Sequence, residues 1–301
     1  MKRIVTTMNC LFGLLLATAL FPTKSTEETE VYLIGFALLL EGIYLVSSFL
    51  RRKNAVQIAD VISISFFVLL IWELFTAKLG LWDSFLFPKP EIILELFLSD
   101  LTVMVSGLGS SLTLLGAGYA LALAAAIPFA LIVGWNQRLY GAVHPIAKVL
   151  SAVPPIVYIP YAIALLPSFR WASILVIFIG AFWPIFVNTL NGVVHIDKKI
   201  IDSARMLHIR ERHMLFSIIL PMIMPEVLTG CSVGLIFSFI LLTSAEMIGA
   251  TSGIGWYVKY YSDFGDYGKV IVGILFIGLV VTVLMWFFER IQAYLLRWKE
   301  K

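Results

Sequence analysis

The stretch Asp197-Lys198-Lys199-Ile200-Ile201-Asp202-Ser203-Ala204-Arg205-Met206-Leu207-His208-Ile209-Arg210-Glu211-Arg212-His213 separates two long apolar segments, and its reading decides the fold. At 3.6 residues per turn it places Ile200, Ile201, Ala204, Leu207 and His208 on one face, with Lys198, Lys199, Asp202, Arg205 and Arg212 on the others. The stretch is too polar to cross a bilayer and amphipathic enough to lie against one. It reads as a surface helix, either resting on lipid or gripped by a soluble partner.

The flanking sequence is that of a membrane protein. Hydrophobic residues make up 60% of the chain and charged ones 14%, with a mean hydropathy of +0.95, outside the range of soluble domains. About 20 apolar residues span the hydrocarbon core, and eight segments qualify, at 4–22, 31–50, 60–78, 110–134, 143–167, 171–193, 223–247 and 269–296. The runs are continuous, which specifies helices and not an alternating barrel. The expected fold class is all-α, a polytopic membrane helix bundle. Eight spans put both termini on one side. Sixteen of the 22 basic residues fall there, among them Lys2, Arg3, Arg51, Arg52, Lys53, Lys198, Lys199, Arg205, Lys299 and Lys301, so both termini are expected in the cytoplasm and the chain in the inner (plasma) membrane. The first segment has a second reading. Met1-Lys2-Arg3, an apolar run and Ala17-Thr18-Ala19 also form a signal-peptide pattern.

The net charge of +3 follows from this topology, and no nucleic-acid partner is implied. Cys10 and Cys231 both lie in apolar spans, as small hydrophobes and not as a disulfide or metal pair. No Ser/His/Asp constellation, soluble carboxylate pair or Cys/His cluster is present, and no Gly-x-x-x-x-Gly-Lys-Ser/Thr phosphate cradle. The chain is therefore expected to do no chemistry and to bind no metal or cofactor.

Asp202-Ser203-Ala204, then His208, then Ile218-Ile219-Leu220-Pro221 resembles the cytoplasmic loop of permease subunits of bacterial ATP-binding cassette importers: Glu-Ala-Ala, three residues, Gly, nine residues, Ile-x-Leu-Pro. Leu70-Ile71-Trp72-Glu73-Leu74, Phe87-Pro88-Lys89-Pro90, Val153-Pro154-Pro155, Phe186-Val187-Asn188-Thr189 and Ala245-Glu246-Met247-Ile248-Gly249-Ala250 extend the likeness over about 60–298, and together resemble the nitrate, sulfonate and taurine branch. The resemblance implies a six-helix permease domain at 56–301 with a coupling helix at about 197–213, and two extra N-terminal transmembrane helices in 1–55. It implies partner ATPase subunits, which bind ATP and Mg and dock on Asp202, Ser203, Ala204, Arg205, His208, Leu220 and Pro221. It further implies a permease homodimer, an extracytoplasmic solute-binding protein, and inward movement of a small anion such as a sulfonate, taurine or nitrate by alternating access. His208 stands where the family has glycine. Glycine takes positive φ freely and histidine less so, so the turn is made differently or the helix runs straight through.

A translocation path should offer several weak polar contacts. The candidates are Ser151, Tyr158, Asn188, Asn191, Ser238, Thr243, Ser244 and Glu246, each with interhelical hydrogen bonding as the alternative. Pro154, Pro155 and Pro160 should break the fifth span, whereas Pro221 and Pro225 either kink the seventh or begin it. Glu73 and Glu246 lie toward outer span ends, where interfacial solvation would lower their cost, and Glu41 lies mid-span. Two rival readings remain. One is an ion-gradient-driven secondary transporter using Glu41, Glu73 and Glu246. The other is a membrane anchor that binds a signalling partner without flux. The aromatic outer loop Thr251–Gly268 suits either a binding-protein contact or an interfacial belt.

Overall fold

Prolines open several of the helices, and the side chains of Asn136 and Asp197 cap two more. The computed structural model describes residues 2–20, 30–50 and 55–298, and every regular element there is helical. Arg51, Arg52, Lys53, Lys299 and Lys301 of the orientation argument lie outside the described residues. The chain forms two compact units, residues 1–103 with 261–275, and 104–260 with 276–301.

In the first unit α1 (Lys2–Leu20), α2 (Glu30–Leu50) and α3 (Ala55–Glu73) pack together. Met8, Leu15, Ala37, Tyr44, Ala59, Ile62 and Phe66 form their common core. Leu38, Leu39, Val61, Ile64 and Phe67 point outward and are exposed, as expected where lipid is the solvent. A π-turn, Leu74–Lys78, continues α3. Trp72 Nε1 donates to the Pro88 carbonyl at 3.0 Å, which holds the following loop against the helix end. Pro90 then opens α4 (Pro90–Ser99), at a position where a missing N–H costs nothing. Lys269 Nζ lies 3.0 Å from Asp100 Oδ2 and donates to the Tyr261 hydroxyl at 3.3 Å.

The second unit holds most of α5 (Leu101–Trp135), then α6 (Gln137–Ala152), α7 (Ile159–Leu165), α8 (Phe169–Val194), α9 (Lys198–Met206), α10 (Glu211–His213), α11 (Leu220–Met222), α12 (Met224–Gly249), much of α13 (Ile254–Asp263) and the latter part of α14 (Tyr267–Leu295). Its centre is α8 against α12. A Cβ on Gly230 would sit 2.9 Å from Asn188 Cβ and 3.0 Å from the Pro184 carbonyl, so these backbones meet only because that residue has no side chain. On another face of α8, α5 runs parallel, Gly118 against Ile174 and Ile177, Gly134 against Leu190 and Val193. Ala122, Ala126, Ala130, Ile185, Phe186, Leu190 and Val227 fill the core between them.

Among the described residues, five helices are long and apolar enough to cross a membrane: Val56–Lys78, Leu101–Trp135, Phe169–Val194, Met224–Gly249 and Tyr267–Leu295. The span expected at 143–167, with a break at its prolines, is a bent pair, Gln137–Ala152 and Pro155–Leu165, with 78° between them. Val153 is extended, and Pro154 and Pro155 supply no N–H to carry the helix on. The described apolar stretches of the first two helices, Met8–Leu20 and Val31–Val46, are shorter. Pro225 begins α12, whereas Pro221 lies near the end of a continuous helical run from Glu211 to Met222, two residues before the break at Ile223.

Candidate functional site: a docking turn, a polar cleft and a carboxylate latch

The docking segment is built around one small buried residue. Asp197 caps α9 by accepting the Lys199 amide at 2.9 Å. Ala204 is buried in the core of the second unit, with Ile201 and Ile209 packed beside it, and the Arg205 guanidinium lies 5.7 Å over the Trp135 ring. Asp202, Ser203, Arg205 and His208 are exposed. Of the one face expected to carry Ile200, Ile201, Ala204, Leu207 and His208, Ala204 is buried and Ile201 half-buried while Ile200 is exposed; Leu207 and His208 leave that face because the helix ends at Met206 and the turn swings them outward, Leu207 being 74% exposed.

His208 explains that turn. It has φ +53°, the single positive-φ non-glycine residue among those described, and its amide bonds the Arg205 carbonyl at 2.9 Å. The chain thus makes the left-handed turn that glycine would make, with a residue that adopts it at some cost. The segment then passes through α10, a π-turn at Met214–Ile219 and α11 into α12. Leu220 is half-buried against the core and Pro221 exposed.

A cleft of about 250 Å³ is lined by Ser151, Pro155, Gly180, Trp183, Pro184, Val187, Asn188, Val233 and Phe237. Of the candidate path residues it brings together Ser151 and Asn188. The Asn188 amide donates to the Pro184 carbonyl at 2.8 Å, leaving its oxygen available. Tyr158, Asn191, Ser238, Thr243, Ser244 and Glu246 lie outside this lining. Thr243 and Ser244 donate to their own helix, at Phe239 and Ile240 carbonyls, and Ser238 is fully buried. Trp183, Pro184 and Phe237 went unnoticed as cleft residues, although a Trp-Pro pair in mid-span was a usable signal. Pro184 cannot donate to the Gly180 carbonyl, so a backbone acceptor is released beside the cleft where both residues lie.

Glu246 is a latch. Ser111 Oγ donates to its Oε1 at 2.5 Å, and the Gly255 amide donates to Oε2 at 2.8 Å. The Ile254 amide in turn donates to Ser111 Oγ at 3.1 Å. Gly253 has φ +124°, and a Cβ there would overlap the carboxylate. The expectation that Glu73 and Glu246 are eased by solvation at span ends fails, since they are 0% and 1% exposed. Internal donors replace water at Glu246, and Glu73 has Lys78 Nζ at 3.8 Å. With both Glu246 oxygens taken by protein donors, that residue offers little to a carried cation.

Residues 118–301 match the family described as "Binding-protein-dependent transport system inner membrane component". The chain is 32% identical over 177 residues to the nitrate import permease protein NrtB of Leptolyngbya laminosa, covering 59% of this chain and 63% of that one. It is 29% identical over 190 residues to the bicarbonate transport system permease protein CmpB of Synechococcus elongatus, covering 63% and 67%. The chain thus spans roughly two thirds of the length of these relatives. A chain of the inward-facing MetNI methionine ABC transporter superposes with a TM-score of 0.57 at 16% identity, covering 65% of this chain and 97% of that one, a likeness of fold.

Proposed function

Because the chain belongs to the family of binding-protein-dependent transport system inner membrane components, we propose that it is the permease subunit of an ATP-driven importer that moves a small anion inward by alternating access. The carrying observation is the docking turn. Ala204 ties it to the membrane core while Met206, Leu207 and the polar Asp202 and Ser203 face away from the core. A soluble ATPase binding ATP and Mg grips that surface, and its closure moves α8 and α12, between which the segment is strung. Two copies of this chain face each other around the pathway, a solute-binding protein delivers cargo outside, and both termini lie in the cytoplasm. Residues 56–301 act as the six-helix permease domain, with 1–55 as an N-terminal addition.

Nitrate and bicarbonate, the cargoes for which two relatives are named, support an anion. In the cleft, Ser151, Asn188 and the released Gly180 carbonyl offer weak neutral contacts, suited to passage and not to tight holding.

The test is gentle purification from the native membrane, identification of co-eluting chains and an ATP-hydrolysis assay. A stoichiometric ATPase that is lost on Leu207→Glu supports the reading. A lone chain that carries solute under an ion gradient overturns it.

A further inference from the structure

Two adjoining apolar hollows open beside the first half of α8. One, of about 630 Å³, is lined by Leu121, Ala125, Leu166, Leu175 and Phe178; the other, of about 850 Å³, by Ala117, Ala120, Ala124 and Arg170. They share Leu121, Trp171 and Ile174. The space exists because α5 presents mostly alanines here, and the larger α8 side chains do not fill what these leave.

Arg170 stands at the mouth. It is exposed and, unlike Lys78 and Lys269, has no carboxylate or other side-chain partner among the described residues. It sits in the first turn of α8, whose N-cap residue Ser168 makes no side-chain capping bond, so free N–H groups and the positive end of the helix dipole add to its charge. Ile174 and Phe178 lie about 6 and 12 Å further along the axis at 1.5 Å per residue. A cation at the interface with two apolar hollows directly beneath is complementary to a lipid anion with two chains.

We propose that Arg170 and the two hollows form a seat for one anionic diacyl phospholipid from the surrounding bilayer, its phosphate on the guanidinium and one acyl chain in each hollow, astride Trp171. A second copy of this chain is the poorer occupant. Residues 101–135 and 169–194 contain no Asp or Glu, so a two-fold contact through this face would bring two arginines together without a counter-charge.

The test uses the full chain in mild detergent, offered equal amounts of phosphatidylglycerol and phosphatidylethanolamine and read by native mass spectrometry. Retained phosphatidylglycerol should exceed phosphatidylethanolamine by about fivefold or more. Arg170→Gln, at an exposed position, should bring that ratio near one, and Ala124→Phe should reduce retention of both lipids. An unchanged ratio in Arg170→Gln, or no retained lipid, overturns the proposal. So does efficient disulfide cross-linking between two copies carrying Ala124→Cys, which would make the face a chain-to-chain contact.

Discussion

Ser111 and Glu246, 135 positions apart, are joined by a 2.5 Å hydrogen bond that fastens α5 to the end of α12. The same two residues organise the loop that follows, since Ile254 and Gly255 direct their amides at Ser111 Oγ and Glu246 Oε2. A carboxylate inside a membrane protein is tolerable only with such donors. Removing it leaves a hydroxyl and an amide unpaired in a dry place. Glu246→Ala is expected to cost about 2–4 kcal/mol, Ser111→Ala about 1–2, and Glu246→Gln less than Glu246→Ala because one acceptor remains. Thermal unfolding in detergent checks the ranking, and equal effects for all three variants would refute the latch.

Gly253 tests the same latch from the backbone. Its φ of +124° is strained for any L side chain, and its missing Cβ is where the carboxylate sits. Gly253→Ala should therefore lose at least about 3 kcal/mol, backbone strain and steric overlap together. A variant as stable as the parent would show that the loop does not close on Glu246.

At the docking turn, His208 holds a positive φ of 53° that costs an L residue about 1–2 kcal/mol. His208→Gly is expected to keep ATPase association and to stabilise the turn by up to about 1 kcal/mol, part of the relief being lost to the greater freedom of glycine when unfolded. A β-branched residue is worst placed in that region, so His208→Val should weaken association at least tenfold. Co-purification and hydrogen exchange over residues 203–213 measure both.

In the cleft, Asn188→Leu removes the amide that lines the wall and bonds Pro184. Uptake by the reconstituted transporter should fall about tenfold, the worth of one hydrogen bond to a passing solute, while basal ATP hydrolysis stays within about twofold. Thr243→Val should barely change uptake, because that hydroxyl is spent on its own helix. If the two variants behave alike, the cleft is not the path.

Packing of α8 on α12 has its own test. Gly230→Leu would force a side chain into Asn188 and the Pro184 carbonyl. A loss of about 3 kcal/mol or more, or failure to accumulate in the membrane, is expected, against a small effect for a leucine at Gly116, where a Cβ meets nothing.

How far the sequence could be read depends on range. The long apolar spans from 56 onward, the break at Pro154-Pro155 and the polar docking segment are local matters of hydropathy, proline chemistry and capping, and each is legible in a short window; α4 (Pro90–Ser99) was not anticipated, and α13 (Ile254–Asp263) occupies most of what was read as the outer loop Thr251–Gly268. Leu207 and His208 were misassigned because a 3.6 periodicity presumes a helix that continues, and the left-handed residue at 208 stops it. Six of the eight candidate path residues fall outside the cleft because periodicity says which residue is polar and not where its hydrogen bond goes; Thr243 and Ser244 satisfy themselves four residues back. Glu246 was read as eased by solvent because its donors, Ser111 and Gly255, come from distant or irregular chain that no window joins to it.

Ala204 has one more consequence. It is the buried footing of α9, whereas Asp202, Ser203, Met206 and Leu207 touch solvent. The outward residues can be rewritten without repacking the interior, so under the proposed docking, swapping one transporter's motor for another's becomes a surface-design exercise confined to a single turn and a half of helix. Enlarging residue 204 would instead lever the whole segment away from its seat.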